Sequence, residues 1–247
     1  MEDITVVLNG FKRPEYLEEQ VKSLLNQTVK PKEIWLWVNK DTDHTFPDEV
    51  EGVDVIVKSS RNFKYHARFS LGLLAKTNFV AFFDDDTIPG EKWFENCLNI
   101  SKKHNNNCIL GGVGIVFTNS ESYDNHVRYG WPTPSNEEVE VDFVGHAWFM
   151  HRQILTALWL ESPISLANGE DMQLSYLAKK YYKTPTICPP HPNEDKSLWS
   201  SLKPWEYGAN AKASSWGSVV PGHVFSAERN YIMKTCLNRG WELINSK

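Results

Sequence analysis

The chain predicts an α/β fold, a mostly parallel central sheet flanked by helices, and three observations carry that reading. Continuous apolar runs recur through the first third, and each ends in Asn, Gly, Ser or Asp, the pattern of strands covered on both faces. Segments with apolar residues at helical spacing lie between several of these runs. Strand and helix therefore alternate, which favours right-handed crossovers between parallel neighbours.

Each element follows from local sequence. "ITVVLNG", Ile4–Gly10, reads as the first strand, and "RPEYLEEQVKSLLNQ" as a helix with Pro14 in its first turn and Leu17, Val21, Leu24 and Leu25 on one face. "EIWLWVN" (33–39), "VDVIVKS" (53–59) and "NFVAFFD" (78–84) read as three further strands, with "HARFSLGLLAK" helical before the last. "GEKWFENCLNISKKH" is expected to be a helix that turns Trp93, Phe94, Cys97 and Leu98 inward, followed by the apolar "CILGGVGIVF". Residues 118–140 are polar and Pro-rich, as in loops or a hairpin; the strand "VDFVGHAWFM" and a helix near "RQILTALWL" come next. With no internal repeat and no low-complexity linker, residues 1–118 and 119–247 are expected to be two lobes of one fused domain.

Composition excludes several classes of function. The 247 residues are 41% apolar, enough for a substantial core, and the formal net charge of -5 argues against a broad nucleic-acid-binding face. An anionic ligand must be met by a local cluster of cations. Cys97, Cys108, Cys188 and Cys236 form no CxxC pair, so neither a zinc site nor a disulfide framework is expected, and a reducing, cytoplasmic setting is. The opening "MEDITVVLNG" is acidic and its apolar run is too short for a signal peptide. No stretch approaches the ~20 apolar residues of a membrane span. Aromatic residues make up 13% of the chain and include ten tryptophans; Trp199, Trp205, Tyr207 and Trp216 fall among Gly, Ser, Pro and Asn. Such rings either pin a long loop to the body or stack on the C–H faces of sugars.

Ligands of open α/β sheets bind beyond the carboxyl ends of the strands, which gathers Asn9, Asn39, Asp41, Arg61, Asp84, Asp85 and Asp86 around one crevice. Adjacent aspartates repel unless a cation neutralises them, and Mg²⁺ or Mn²⁺ prefers carboxylate oxygens. The competing reading is an acidic turn capping the helix that follows. A second carboxylate pair, Glu170 and Asp171 in "ANGEDMQL", suits a general base and equally suits a helix start ahead of Leu174, Leu177, Ala178 and Tyr181.

"FFDDDTIPGEKW" resembles the DxD region of GT-A glycosyltransferases, particularly family 2 and its relatives, the mucin-type N-acetylgalactosaminyltransferases among them. "RNFKYHARFSLGL" is similar to the segment preceding that strand, "VDFVGHAWFMHR" to the acceptor-side strand, and "NGEDMQLSYLAKK" to the Gly-Glu-Asp segment that opens a helix. The order of the four motifs matches the family, over roughly residues 4–191. The resemblance implies a GT-A fold and a metal-dependent, inverting transfer of one sugar. The donor would be a nucleotide-diphosphate sugar, most commonly a UDP-sugar, and the acceptor a hydroxyl of a saccharide or glycoconjugate. Asp86 would ligate Mn²⁺ or Mg²⁺, Asp84 would touch the ribose or metal-bound water, and Asp85 would help hold the nucleotide. Arg68 and Arg61 would meet the phosphates, and Arg13 would belong to the nucleotide-sugar-binding set. Asp171 would be the base and Glu170 a partner for sugar hydroxyls. His191, 21 positions after Glu170, would complete the metal's ligands, with His223 as its rival. His146 and Trp148 would face acceptor or donor sugar. "HPNEDKSLWSSLKPWEYG" would form a lid that carries Trp199 over the donor.

The chain departs from the family where many members end the second strand in a carboxylate pair: here "WVNKDTD" spaces Asn39 from Asp41, which leaves the base of the nucleotide open. A nucleotidyltransferase is the alternative enzyme class, but "NGFKRPEY" offers a single glycine where a triphosphate-gripping loop needs several. A noncatalytic glycan-binding relative is the other alternative.

Overall fold

The computed structural model describes residues 2–207 and 222–246, without the side chains of 222, 223 and 246. Trp216 and the His223 side chain lie outside the described residues. In chain order, β1 (Ile4–Gly10), α1 (Leu17–Leu25), β2 (Glu33–Val38), β3 (Val55–Lys58), α2 (His66–Gly72) and β4 (Phe79–Phe83) reproduce the expected alternation. Pro14 opens a short 3-10 turn, Pro14–Tyr16, that runs directly into α1. Then follow α3 (Trp93–Lys103), β5 (Ile109–Phe117), β6 (His126–Gly130), β7 (Val139–Val141), β8 (Phe143–His151), α4 (Arg152–Leu155), α5 (Glu170–Tyr182), β9 (Thr186–Cys188), α6 (Pro204–Tyr207) and α7 (Gly222–Asn238). The polar stretch 118–140 holds two short strands, and the helix expected near "RQILTALWL" divides into α4 and a 3-10 turn, Thr156–Trp159.

One sheet runs in the order β3-β2-β1-β4-β8-β5-β9-β7, with β6 beside β5. The first four strands are parallel, β8 is antiparallel to both β4 and β5, and β9 returns parallel to β5. The two-residue period of the strands divides the core. Ile4, Val6, Leu8, Phe79, Ala81 and Phe83 meet Leu17, Val21 and Leu24 of α1 and Trp93, Phe94, Cys97 and Leu98 of α3. Val7, Val80 and Phe82 point the other way, toward Phe69 of α2, Leu174 and Leu177 of α5, and Ile232, Met233 and Cys236 of α7. Helices thus cover both faces. The carboxyl ends of β1, β2 and β4 open on the same edge, where β8 runs past in the opposite direction. No helix among the described residues is long and apolar enough to cross a membrane.

Candidate active site

Asp84, Asp85 and Asp86 follow β4 directly, in a turn fixed from two sides. The Gln20 amide donates to the carbonyls of Asp84 (2.7 Å) and Thr87 (2.8 Å), and the Asp84 N–H donates to the His146 carbonyl at 2.9 Å. Two buried arginines meet the negative charges. Arg13 donates from Nη1 to Asp86 Oδ2 at 2.9 Å and from Nη2 to Asp85 Oδ1, while Arg68 pairs with Asp84 Oδ1 and lies 3.6 Å from Glu170 Oε1. The Arg68 guanidinium stacks 4.6 Å from the centre of the Trp148 ring, which fixes its plane. Burial pushes the Asp85 carboxyl up to about 7; Arg13 opposes the rise, and Asp86 and Asp84 add to it.

His146 reaches the aspartates because β8 is irregular there. Gly111 pairs with Trp148 but Val113 with Gly145, so β8 holds one extra residue at this point, and His146 takes a left-handed φ of 65°. Its Nδ1 lies 3.7 Å from Asp84 Oδ2. Asp84, Asp86 and His146 each offer one ligand atom, and these atoms lie within 4.8 Å of one another. Two carboxylates and an imidazole make a donor set suited to a divalent cation such as Mn²⁺. His191 is elsewhere: fully buried, its Nδ1 is 2.8 Å from the Pro189 carbonyl and its Nε2 2.9 Å from Ser200 Oγ. Burial lowers its pKa to about 4.

The second carboxylate pair faces the same space. A cavity of about 450 Å³ is lined by Arg68, Asp84, His146, Trp148, Glu170 and Asp171 and, further round, by Tyr123, Phe143 and Arg229. The N-cap of α5 is Gly169, with φ 83°, rather than a polar side chain. Asn168 instead directs its Oδ1 to the Gly169 N–H (2.7 Å) and to Arg229 Nη1 (3.0 Å). Glu170 is buried with Oε2 unpartnered, and burial together with the Asp171 charge raises its carboxyl to about 8. Asp171 is held by Arg229 through two hydrogen bonds of 2.7 and 2.9 Å.

The remaining predicted residues form a separate group along the strand ends. The Asn39 amide donates to Asn9 Oδ1 (3.3 Å) and to the Lys64 carbonyl (3.2 Å), and Asn39 Oδ1 accepts from the Phe63 N–H at 3.0 Å. Asn39 thereby ties the ends of β1 and β2 to the loop ahead of α2. Asp41 pairs with His44, and the exposed Arg61 lies over the Phe63 ring. Trp199 is packed into the core, and its Nε1 donates to the Pro192 carbonyl at 2.7 Å; Trp205, 67% exposed, stands edge-on to Trp131. Sequence reasoning passed over Gln20 and Arg229. Each had a signal, a polar residue in the apolar stripe of its helix: Gln20 within Leu17, Val21 and Leu24, and Arg229 ahead of Ile232, Met233 and Cys236.

A parallel sheet opening on clustered acids, faced across a bulged antiparallel strand by a Glu-Asp helix start, is the architecture of a GT-A glycosyltransferase. Residues 4–159 match the model of Glycosyl transferase family 2, more than half of the chain, and the protein belongs to that family. Over 130 residues it is 28% identical to the Poly(ribitol-phosphate) beta-N-acetylglucosaminyltransferase TarP of Staphylococcus aureus (strain N315), covering 47% of this chain and 38% of the relative. Over 150 residues it is 26% identical to the Minor teichoic acid biosynthesis protein GgaB of Bacillus subtilis (strain 168), covering 56% of this chain and 16% of the relative. The match thus spans well under two thirds of either relative.

Proposed function

We propose that the protein transfers one sugar, with inversion, from a UDP-sugar to a hydroxyl of a saccharide or glycoconjugate. The observation that supports it is the single cavity in which Asp84, His146, Glu170 and Asp171 meet. Residues 1–118 would bind the donor and residues 119–247 the acceptor. The names of the two relatives, one a poly(ribitol-phosphate) transferase and one a minor teichoic acid biosynthesis protein, favour an acceptor of polyol-phosphate type. Four buried, unpaired thiols suit a cytoplasmic location.

Asp84, Asp86 and His146 would hold Mn²⁺ or Mg²⁺, in preference to His191, whose ring nitrogens are already engaged. Bound there, the ion would supply Lewis-acid compensation for negative charge on the departing diphosphate. Asn9, Asn39, Asp41 and Arg61 would take the nucleoside, and Arg13 and Arg68 would hold the aspartates in register while adding positive charge near the phosphates. Asp171 accepts the proton of the acceptor hydroxyl as that oxygen bonds to the anomeric carbon. The bond from that carbon to the diphosphate breaks on the opposite face, and its electron pair leaves with the diphosphate. Glu170, neutral at pH 7, donates a hydrogen bond to a sugar hydroxyl.

Calorimetry with Mn²⁺ and a panel of nucleotide sugars tests the metal and donor assignments. Asp86→Ala is expected to lose both Mn²⁺ uptake and transfer, and full activity in that variant removes the metal site. Asp171→Asn is expected to lower kcat by about 10²- to 10⁴-fold with donor binding intact. The anomeric configuration of the product, read by NMR, decides inversion.

A further inference from the structure

Helix α7 carries a cation onto the second carboxylate pair. Arg229 is 4% exposed, and its guanidinium donates from Nη1 to Asp171 Oδ1 at 2.7 Å and from Nη2 to Asp171 Oδ2 at 2.9 Å. The Tyr123 and Phe143 ring centres lie 4.8 and 5.2 Å from the guanidinium carbon, and Nη1 also reaches Asn168 Oδ1 at 3.0 Å. The guanidinium plane is therefore fixed by rings as well as by hydrogen bonds. A carboxylate offers about four acceptor positions. Oδ1 uses two of them, on Arg229 and on the Met172 N–H at 2.7 Å, whereas among the described residues Oδ2 accepts from Arg229 alone. Oδ2 is the oxygen with room to take a proton.

We propose that Arg229 is the positioning residue of the general base: it fixes the Asp171 carboxylate by two hydrogen bonds beside a second buried carboxylate and leaves Oδ2 as the atom that receives the acceptor's proton. The proposal rests on Asp171 being the base, as in the reading above. Arg229 and Asp171 both lie beyond residues 4–159, so the family match does not speak for either. The charged and titratable groups around Asp171 are Glu170 beside it, His66 and Arg68 from α2, and Arg229 and Cys236 from α7. Arg229 and Arg68 are the cations of this set. Without Arg229, Glu170 and Asp171 would share one buried site with a single neighbouring guanidinium. The charged form of Asp171 would then have lost its hydrogen-bonded cation. Losing the guanidinium raises the proton affinity of Asp171, so the acid limb of the pH-rate profile moves to higher pH.

The test compares the intact chain with Arg229→Lys and Arg229→Gln, using UDP-N-acetylglucosamine turnover with Mn²⁺ between pH 5.5 and 9. Arg229→Gln is expected to move the acid limb of kcat/KM upward by about one pH unit or more, with donor KM little changed and Arg229→Lys in between. A loss that is uniform across pH, with the limb unmoved, overturns the proposal. A second measurement needs no turnover: the ¹³C titration of the Asp171 carboxyl, assigned with Asp171→Asn, in the wild-type chain and in Arg229→Lys. Equal midpoints overturn the proposal whatever the kinetics show. A midpoint that moves in a chain without turnover sustains the pairing and sinks the transferase reading instead.

Discussion

At the scale of single residues, the site is a chain of alternating charge in which each of its five carboxylates has an arginine within reach: Arg13 for Asp85 and Asp86, Arg68 for Asp84 and Glu170, Arg229 for Asp171. Buried pairs of this kind contribute little net stability, yet breaking one strands an uncompensated charge. Glu170 is the least compensated, and its titration gives a pH-dependent prediction. Folding raises its carboxyl from the ordinary 4.5 to about 8, through burial first and the Asp171 charge second. Between those values the folded chain holds a proton that the unfolded chain has released. The stability it contributes is therefore complete below about pH 4.5 and lost as pH rises toward 8. Glu170→Gln removes that slope. In urea unfolding without metal, the variant is expected to gain on the wild type as pH rises from 5 to 8, by on the order of a few kcal/mol. A pH-independent difference would contradict the assignment.

At the scale of elements, the bulge in β8 is what turns a sheet into a site. It moves His146 to the aspartates and leaves Gly145 lining the cavity. Across from it, β5 needs glycine to approach closely: a Cβ on Gly111 would sit 2.3 Å from Val144 Cβ and 2.8 Å from the Ala147 carbonyl. A Cβ on Gly145 meets nothing within 4 Å. Gly111→Ala is expected to destabilise the chain by about 1–3 kcal/mol, the usual cost of overpacking, whereas Gly145→Ala stays within about 0.5 kcal/mol of wild type. Thermal unfolding of the two variants side by side checks this. Equal midpoints would mean that β5 and β8 relax more freely than their packing indicates.

At the scale of the whole molecule, the last helix belongs to both core and site. Ile232, Met233, Cys236, Trp241 and Leu243 are buried in the cluster beneath α5, and the Tyr176 hydroxyl donates to the Arg239 carbonyl at 2.8 Å. Asp142 accepts from the Phe117 N–H at 2.8 Å and from the Ile244 N–H at 2.9 Å, tying the end of the chain to β5. Burying the larger of these side chains contributes about 1.5–3 kcal/mol each, which together rivals the ~5–15 kcal/mol stability of a typical domain. A chain ending at residue 207 is therefore expected to lose its cooperative urea transition. A truncated chain that unfolded sharply, at the wild-type midpoint, would show α7 to be dispensable for the core.

The sequence by itself determined the first four strands, the helices between them and the two carboxylate clusters, because each depends on local pattern: apolar runs closed by turn residues, helical spacing, and acids placed at element ends. Tertiary structure alone decided which partners those acids meet. Nothing near Asp171 in the chain announces Arg229, 58 positions away, and nothing near Asp84 announces that His146, rather than His191, arrives beside it. Pairing across a sheet and packing between distant helices are set by register and by close approach, as at the β8 bulge. A one-residue shift there would have turned His146 to the other face. Chemistry that needs two charges within hydrogen-bonding distance is decided at that level, where spacing along the chain no longer measures separation in space.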